Sequence, residues 1–359
     1  MKIVFSNTIF FLQKYGGISR YFVNLSKELN KIKVNSRIIA PLSKNIYLKK
    51  EKQNNIFLYL KRFPNNFFLK KINQILFYFL LKIEKPNIIH ETYYDENNLK
   101  IFKNTIKVLT IYDLVHEKFS KFYSKKKSSE KIKILRYVDH FICISKKTQS
   151  DFVKYYNIPK SKTSVIYLGS DHLKNLYQSD KSSLSIPNKF FLYVGSRDGY
   201  KNFKILVEAF NFARELKNIN IVCFGGGNFS NFEISNYKLS RNFIYCDGDD
   251  SLLCNLYSKA IGFINTSKYE GFGITNIEAM YFGCPVISSN FKVFKEISGN
   301  ACLYFKNNNS LDLTQKIKKF LLNNNIRKIY IDRGIKRAKL FTWNKCAEQT
   351  SQLYKSLLK

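Results

Sequence analysis

Glu270 and Glu278 stand with seven residues between them, in the stretch Lys268-Tyr269-Glu270-Gly271-Phe272-Gly273-Ile274-Thr275-Asn276-Ile277-Glu278. The first carboxylate leads a Gly-x-Gly turn. The second lies about one turn into an apolar-periodic segment that reads as a helix. Glycines let backbone N–H groups approach a ligand closely, and a helix N-terminus attracts anions. Carboxylates accept hydrogen bonds from sugar hydroxyls. Phosphate, ribose and sugar are all plausible ligands of this loop. The plainer alternative is a capping box, Thr275-x-x-Glu278, in which Glu278 only satisfies a helix-end N–H.

A second group of residues could handle negative charge. Gly195-Ser196-Arg197-Asp198-Gly199-Tyr200-Lys201 follows an apolar run and sets Arg197 four residues before Lys201. Two such cations stabilise charge growing on a leaving phosphate, or they are simply two exposed cations among sixty. Gly225-Gly226-Gly227 also follows an apolar run and fits a phosphate loop or a tight turn. Asp247-Gly248-Asp249 imitates a D-x-D metal motif but reads better as the polar lead-in to a helix. Near the start, Gly16 and Gly17 open a helix. His90 and His116 follow strand-like runs, and a lone histidine is more often structural than catalytic.

Those residues need elements to hold them. Strands are predicted at 3–5, 88–89, 108–111, 140–145 and 165–167, with helical patterns between them. A polar stretch, 169–188, has no clear periodicity. The rhythm then restarts, with strands at 190–195, 219–224, 243–246, 261–264 and 285–287, and helices at 203–216 and 252–259. A last helical pattern runs from Trp343 to Leu358. Alternating β and α segments mean parallel sheets with crossover helices, and 359 residues suit two domains better than one. The expected division is 1–170, a linker at 171–188, a second domain at 189–342 and a terminal helix at 343–359.

The formal net charge is +34, from 60 Lys+Arg against 26 Asp+Glu. That field attracts nucleic acid, acidic headgroups or phosphorylated substrates. Arginine, the better bidentate base reader, is scarce, so sequence-specific nucleic-acid binding is not expected. Seven scattered cysteines without C-x-x-C point to reduced thiols in a cytoplasmic enzyme, with no zinc site and no metal expected. The N-terminal apolar run is too short for a signal peptide, and no stretch reaches the roughly 20 apolar residues that span a bilayer. The segment 72–83, flanked by Lys70, Lys71, Lys82 and Lys85, is either a buried helix or one lying in a membrane interface. Lys125, Lys126 and Lys127 form a second basic cluster.

The string from Glu270 to Ile287, "EGFG…EAM…GCPVI", resembles the E-x7-E motif, with its flanks, of the family 4 retaining glycosyltransferases, among them mannosyltransferase-like members. The resemblance covers nearly the whole chain and is tightest over 190–305. It implies a GT-B fold: two Rossmann-like doubly wound α/β domains facing a cleft, with the C-terminal helix crossing back to the first domain. By family pattern Glu270 positions the donor sugar, Glu278 holds the ribose, and Arg197 with Lys201 carries the leaving diphosphate. Gly271, Phe272, Gly273 and Ile274 form the loop around the donor. Gly225 lines the nucleotide pocket, Cys246 offers backbone to the base, and Gly16 and Gly17 lie near the donor phosphates and the acceptor. Many relatives carry His-Asp where Tyr112-Asp113 stand, so His116 or His90 would have to supply an imidazole. The implied donor is a GDP- or UDP-sugar, with no further cofactor. The acceptor expected is lipid-linked or a glycan, and the apolar segment with its basic patches favours use at the inner face of a membrane, with an anionic surface as partner. A same-fold sugar-phosphate synthase or phosphorylase, or a non-enzymatic polyanion-binding protein, are the rival readings.

Overall fold

The computed structural model describes residues 1–51, 54–62, 64, 66–100, 104–123, 125–174, 186–197 and 199–359. The side chains of Lys125, Lys126 and Lys127, most of the expected linker (175–185) and Asp198 fall outside that description. The chain divides into two compact units. One is Met1–Gly169 together with Trp343–Lys359, and the other is Ser170–Thr342.

The first unit is built on a sheet of seven parallel strands: β1 (Lys2–Phe5), β2 (Asn35–Ser43), β3 (Ile56–Tyr59), β4 (Ile88–Glu91), β5 (Ile106–Ile111), β6 (His140–Cys143) and β7 (Thr163–Val165). Their order is β3-β2-β1-β4-β5-β6-β7. The second unit holds six: β8 (Phe190–Val194), β9 (Asn220–Phe224), β10 (Phe243–Cys246), β11 (Gly262–Asn265), β12 (Val286–Ser289) and β13 (Cys302–Phe305). Their order is β10-β9-β8-β11-β12-β13, again all parallel. Helices cover both faces of such sheets, so central strands are apolar throughout. β6 and β12 are buried at every residue.

Three strands escape the sequence pattern. β2 carries Pro41 within its apolar run and shifts register between Ala40 and Leu42. β3 is an edge strand with no fully buried residue, and β13 has only four residues. β7 ends at Val165 rather than beginning there. The helix expected over 203–216 stops at Asn211, and a 3-10 turn from Arg214 to Leu216 completes the run. Part of the expected linker, Asp171–Leu173, is also a 3-10 turn.

Helix Trp343–Leu357 belongs to the first unit. The Trp343 ring lies 5.9 Å from that of Tyr21. A Cβ on Gly169 would meet the Trp343 backbone nitrogen at 2.3 Å, so only glycine fits there. Helix Phe67–Glu84 starts from the side chain of Asn66, which accepts the Leu69 N–H. It stops at Lys85, in the left-handed region at φ 45°, just before Pro86. It is not the wholly buried helix that its composition allows. Asn73, Phe77, Leu81 and Glu84 face inward, while Phe68 is 68% and Phe79 57% exposed, alongside exposed Phe67, Ile75, Leu76 and Ile83. Among the described residues, no helix is long and apolar enough to cross a membrane.

Candidate functional site

In open parallel sheets, ligands gather at the carboxyl ends of the strands, and the predicted residues of the second unit lie there. β8 runs into Gly195 and Arg197. The Arg197 guanidinium is buried and almost fully engaged. Its Nε donates to Glu233 Oε1 at 2.6 Å. Nη1 donates to Gly225 O at 3.1 Å, and Nη2 to Gly227 O at 2.8 Å and Asn228 O at 3.0 Å. The Phe229 ring lies beneath it at 4.7 Å, a favourable cation–π arrangement. Burial alone would raise the Glu233 pKa, but bonds from Arg197 and Ser230 hold it below the usual carboxylate range.

The loop around Arg197 consists of three glycines in the left-handed region, Gly225, Gly226 and Gly227, at φ 77°, 76° and 79°. Other L-residues avoid that conformation. A Cβ on Gly226 would also meet Gly195 O at 2.7 Å and Arg197 Nη1 at 3.1 Å. At the neighbouring strand end, the Cys246 carbonyl accepts the Gly225 N–H at 3.0 Å. Burial and then Asp247 push the Cys246 thiol pKa up.

Lys201 reaches the first carboxylate of the motif. Its Nζ lies 2.6 Å from Glu270 Oε1, which also accepts the Ser267 hydroxyl at 3.0 Å. Backbone bonds fix the two segments together: Lys268 N donates to Tyr200 O at 2.7 Å, and Thr266 Oγ1 to Lys201 O at 2.8 Å. Beneath them, Asn265 Nδ2 donates to Asn276 Oδ1 at 2.8 Å, and Ser267 N to Asn265 Oδ1 at 3.1 Å. Phe272 is buried, edge-on to Phe341.

Helix Ile274–Tyr281 is capped by Gly273, at φ 78°, with no side-chain cap bond. A Cβ on Gly273 would press on the Phe294 ring at 2.7 Å. Thr275 is therefore inside the helix rather than at its cap, which removes the capping-box reading of Glu278. Glu278 is 4% exposed. Tyr257 Oη donates to its Oε2 at 3.4 Å, and His172 Nε2 lies 3.4 Å from Oε1. Burial first, then the charge of Glu278, holds the Tyr257 hydroxyl well above its ordinary pKa. Asp249 is a helix cap, accepting the Leu252 N–H at 3.0 Å.

Sequence reasoning did not single out Glu233, Asn265, Ser267, His172 or Tyr257. Asn265 and Ser267 carried a signal, as polar residues closing an apolar strand. Glu233 carried another, a Ser-x-x-Glu capping box from Ser230. Nothing local marks His172 or Tyr257, which meet Glu278 only through the fold.

In the first unit, Gly16 caps helix Gly17–Lys31 in extended backbone. A Cβ there would meet the Gln13 side chain at 2.3 Å, whereas one on Gly17 would meet nothing within 4 Å. His90 is a core residue: Nδ1 bonds Tyr354 Oη at 2.6 Å and Nε2 bonds Thr110 Oγ1 at 2.8 Å. Burial pushes its pKa down to about 3, so it is neutral. His116 sits on the short helix Val115–Lys118 after β5, its ring edge-on to Tyr123 at 4.9 Å. The buried pair Lys131–Glu117, 2.7 Å apart, braces that turn. Next to His90, Glu91 is buried and accepts from Thr8 Oγ1 at 2.7 Å and Asn98 Nδ2 at 3.0 Å. Burial and nearby Asp95 push its pKa up to about 7.

Comparison with known proteins bears on the family and the fold. The model of the glycosyl transferases group 1 matches residues 178–337, and that of glycosyltransferase family 4 matches 15–172. The O-antigen chain mannosyltransferase B of Escherichia coli is 26% identical over 232 residues, 60% of each chain. The O-antigen chain mannosyltransferase RfbU of Salmonella typhimurium is 30% identical over 172 residues, 46% of each. The matches thus span about half to three-fifths of those relatives. Sucrose-phosphate synthase from Thermosynechococcus elongatus has a similar fold, with TM-score 0.79, 19% identity and 99% of both chains covered. HepE of Anabaena, solved with UDP-glucose, gives TM-score 0.76 at 16% identity, covering 99% of this chain and all of that one. At these identities the likeness is one of fold, the GT-B architecture.

Proposed function

This chain belongs to the family 4, group 1 glycosyltransferases, and we propose that it moves a hexose, with retention, from a nucleotide diphosphate sugar to a lipid-linked or glycan acceptor in cell-surface polysaccharide synthesis. Mannose is the favoured sugar, since two relatives are named as O-antigen mannosyltransferases. The observation that carries the reading is the Lys201–Glu270 pair, 2.6 Å apart, beside a helix start that no side chain caps.

The sugar C1–oxygen bond to the diphosphate breaks, and the acceptor hydroxyl oxygen bonds C1 on the same face. The hydroxyl proton passes to the departing phosphate oxygen, so no protein nucleophile is needed. Lys201 and the uncapped N–H groups of helix Ile274–Tyr281 stabilise the charge that grows on the diphosphate. Arg197 adds positive potential and holds the glycine loop. Glu270 orients the sugar, and Glu278 receives the ribose hydroxyls. These cations replace a divalent ion. His116 is assigned to the acceptor side on the resemblance alone.

The exposed apolar face of helix Phe67–Glu84, with exposed Lys70, Lys71, Lys82 and Lys85 around it, favours work at an anionic membrane surface. The protein would then act as a peripheral enzyme on the cytoplasmic side. A soluble acceptor gives that face no purpose. A thermal-shift panel of GDP- and UDP-sugars tests the donor, and the anomeric configuration of the product by NMR tests retention. No response to any nucleotide sugar would overturn the reading.

A further inference from the structure

Three adjacent parallel strands of the first unit, β1, β2 and β3, deliver cations from their carboxyl ends to one place. Lys14 follows the short helix after β1, Lys44 follows β2 directly, and Lys61 and Arg62 follow β3. Together with Leu12 and Pro64 they line a pocket of about 550 Å³. Among the described residues, its lining is cationic or apolar and holds no carboxylate.

The loops that carry these cations are tied to one another. Lys44 N donates to Phe10 O at 3.3 Å, and Ile46 N to Lys14 O at 3.1 Å. The buried Asn45 side chain donates to Gln13 O at 3.0 Å, and Leu60 N donates to Ser43 O at 2.8 Å. The concavity is therefore held by backbone rather than by chance side-chain positions. An anion seated in the concavity would be attracted by four cations at once. Burial already holds the Lys44 ammonium below the usual lysine range.

The neighbourhood indicates what the anion is attached to. Leu12, an apolar wall of the pocket, also lines a small recess with Phe11, Lys70, Asn73, Gln74 and Asp95, whose carboxylate pairs with Lys70 at 3.1 Å. Pro64 leads within four residues to Phe67 and Phe68, which stand 80% and 68% exposed. A basic pocket thus adjoins an exposed apolar helix.

We propose that the pocket bounded by Lys14, Lys44, Lys61 and Arg62 binds the phosphate or diphosphate of a lipid-linked acceptor, whose hydrocarbon lies along helix Phe67–Glu84. The inference rests on the lipid-linked reading of the acceptor and gives it a location. Lysine supplies point charges and arginine a bidentate fork for phosphate oxygens.

The test is equilibrium binding of the full chain to a short-chain prenyl diphosphate, the matching prenyl alcohol and inorganic diphosphate, with and without saturating nucleotide diphosphate. The prenyl diphosphate should bind at least about tenfold tighter than the alcohol, which lacks the charge, and at least about tenfold tighter than inorganic diphosphate, which lacks the hydrocarbon. The double variant K61Q/R62Q should lose the preference over the alcohol, while K61R/R62K keeps it. Nucleotide binding should be unchanged in both variants, which shows that they fold. A preference over the alcohol that survives K61Q/R62Q overturns the proposal. Inorganic diphosphate binding as tightly as the prenyl form overturns the lipid source. Failure of the donor reading shows separately, as a missing nucleotide response in the unmodified chain.

Discussion

The Lys201 ammonium lies 2.6 Å from Glu270 Oε1 and so joins the end of β8 to the loop before helix Ile274–Tyr281. Each group is about one-fifth exposed. The pair presents both signs of charge within 3 Å, and on the proposed function the cation would serve the leaving group and the carboxylate the sugar.

Lys201→Ala should therefore damage catalysis far more than folding. Loss of one donor to a developing anion costs about 10²–10³ in kcat, while a partly exposed ion pair contributes about 0–1 kcal/mol to stability. Steady-state kinetics beside a melting curve checks this. A large drop in Tm with kcat retained would make the pair structural.

Glu278→Gln should weaken nucleotide binding about tenfold or more, because a charge-assisted hydrogen bond is worth roughly 1.5–3 kcal/mol. Tyr257 and His172 keep contact partners of similar shape, so the melting temperature should move little. Calorimetric titration of the nucleotide against both proteins measures the difference. Unchanged affinity would remove Glu278 from the donor site.

Transfer should proceed in the presence of chelator. Asp249→Ala should cost about 1 kcal/mol of stability through loss of the helix cap and leave turnover intact. Activity that disappears with chelator and returns with manganese would make Asp247 and Asp249 metal ligands instead.

Glu91 gives a pH signature. Its folded-state pKa, about 7, lies above the ordinary carboxylate value, so the native state holds a proton that the unfolded state has released. The associated stability is complete below about pH 4.5 and is lost as pH rises toward 7. The Tm of Glu91→Gln relative to the parent should therefore become more favourable between pH 5 and pH 8. A constant difference across that window would show that Glu91 titrates normally.

Flotation with vesicles should recover more protein from acidic than from neutral lipid, and recovery should fall with salt as screening tightens to about 8 Å at physiological strength. Phe68→Ser with Phe79→Ser should lower recovery from both lipids. Equal recovery in every case would leave the charge a matter of composition.

Much of the architecture was legible because buried parallel strands write themselves as apolar runs. Phe190–Val194 and Val286–Ser289 are examples. Where the run is interrupted by Pro41, or half-buried as in Ile56–Tyr59, that signal fades and β2 and β3 go unmarked. The loop carrying Glu270 and the helix carrying Glu278 stand out for a similar reason: glycine spacing is local. Contacts made only by folding have no such mark. Nothing near His172 in the chain announces that it will lie 3.4 Å from Glu278, about a hundred residues away. Likewise, Arg197 reads as a free cation until Glu233 is seen beside it.

The three left-handed glycines have a consequence for how mutants at Arg197 should be interpreted. Each gives up more freedom on folding than any other residue type, and carbonyls from Gly225, Gly227 and Asn228 converge on one guanidinium. Removing that side chain would release the loop as well as delete a charge. A kinetic deficit in Arg197→Ala would then combine two losses, and amide hydrogen exchange across residues 225–229 would separate loosened backbone from missing electrostatics.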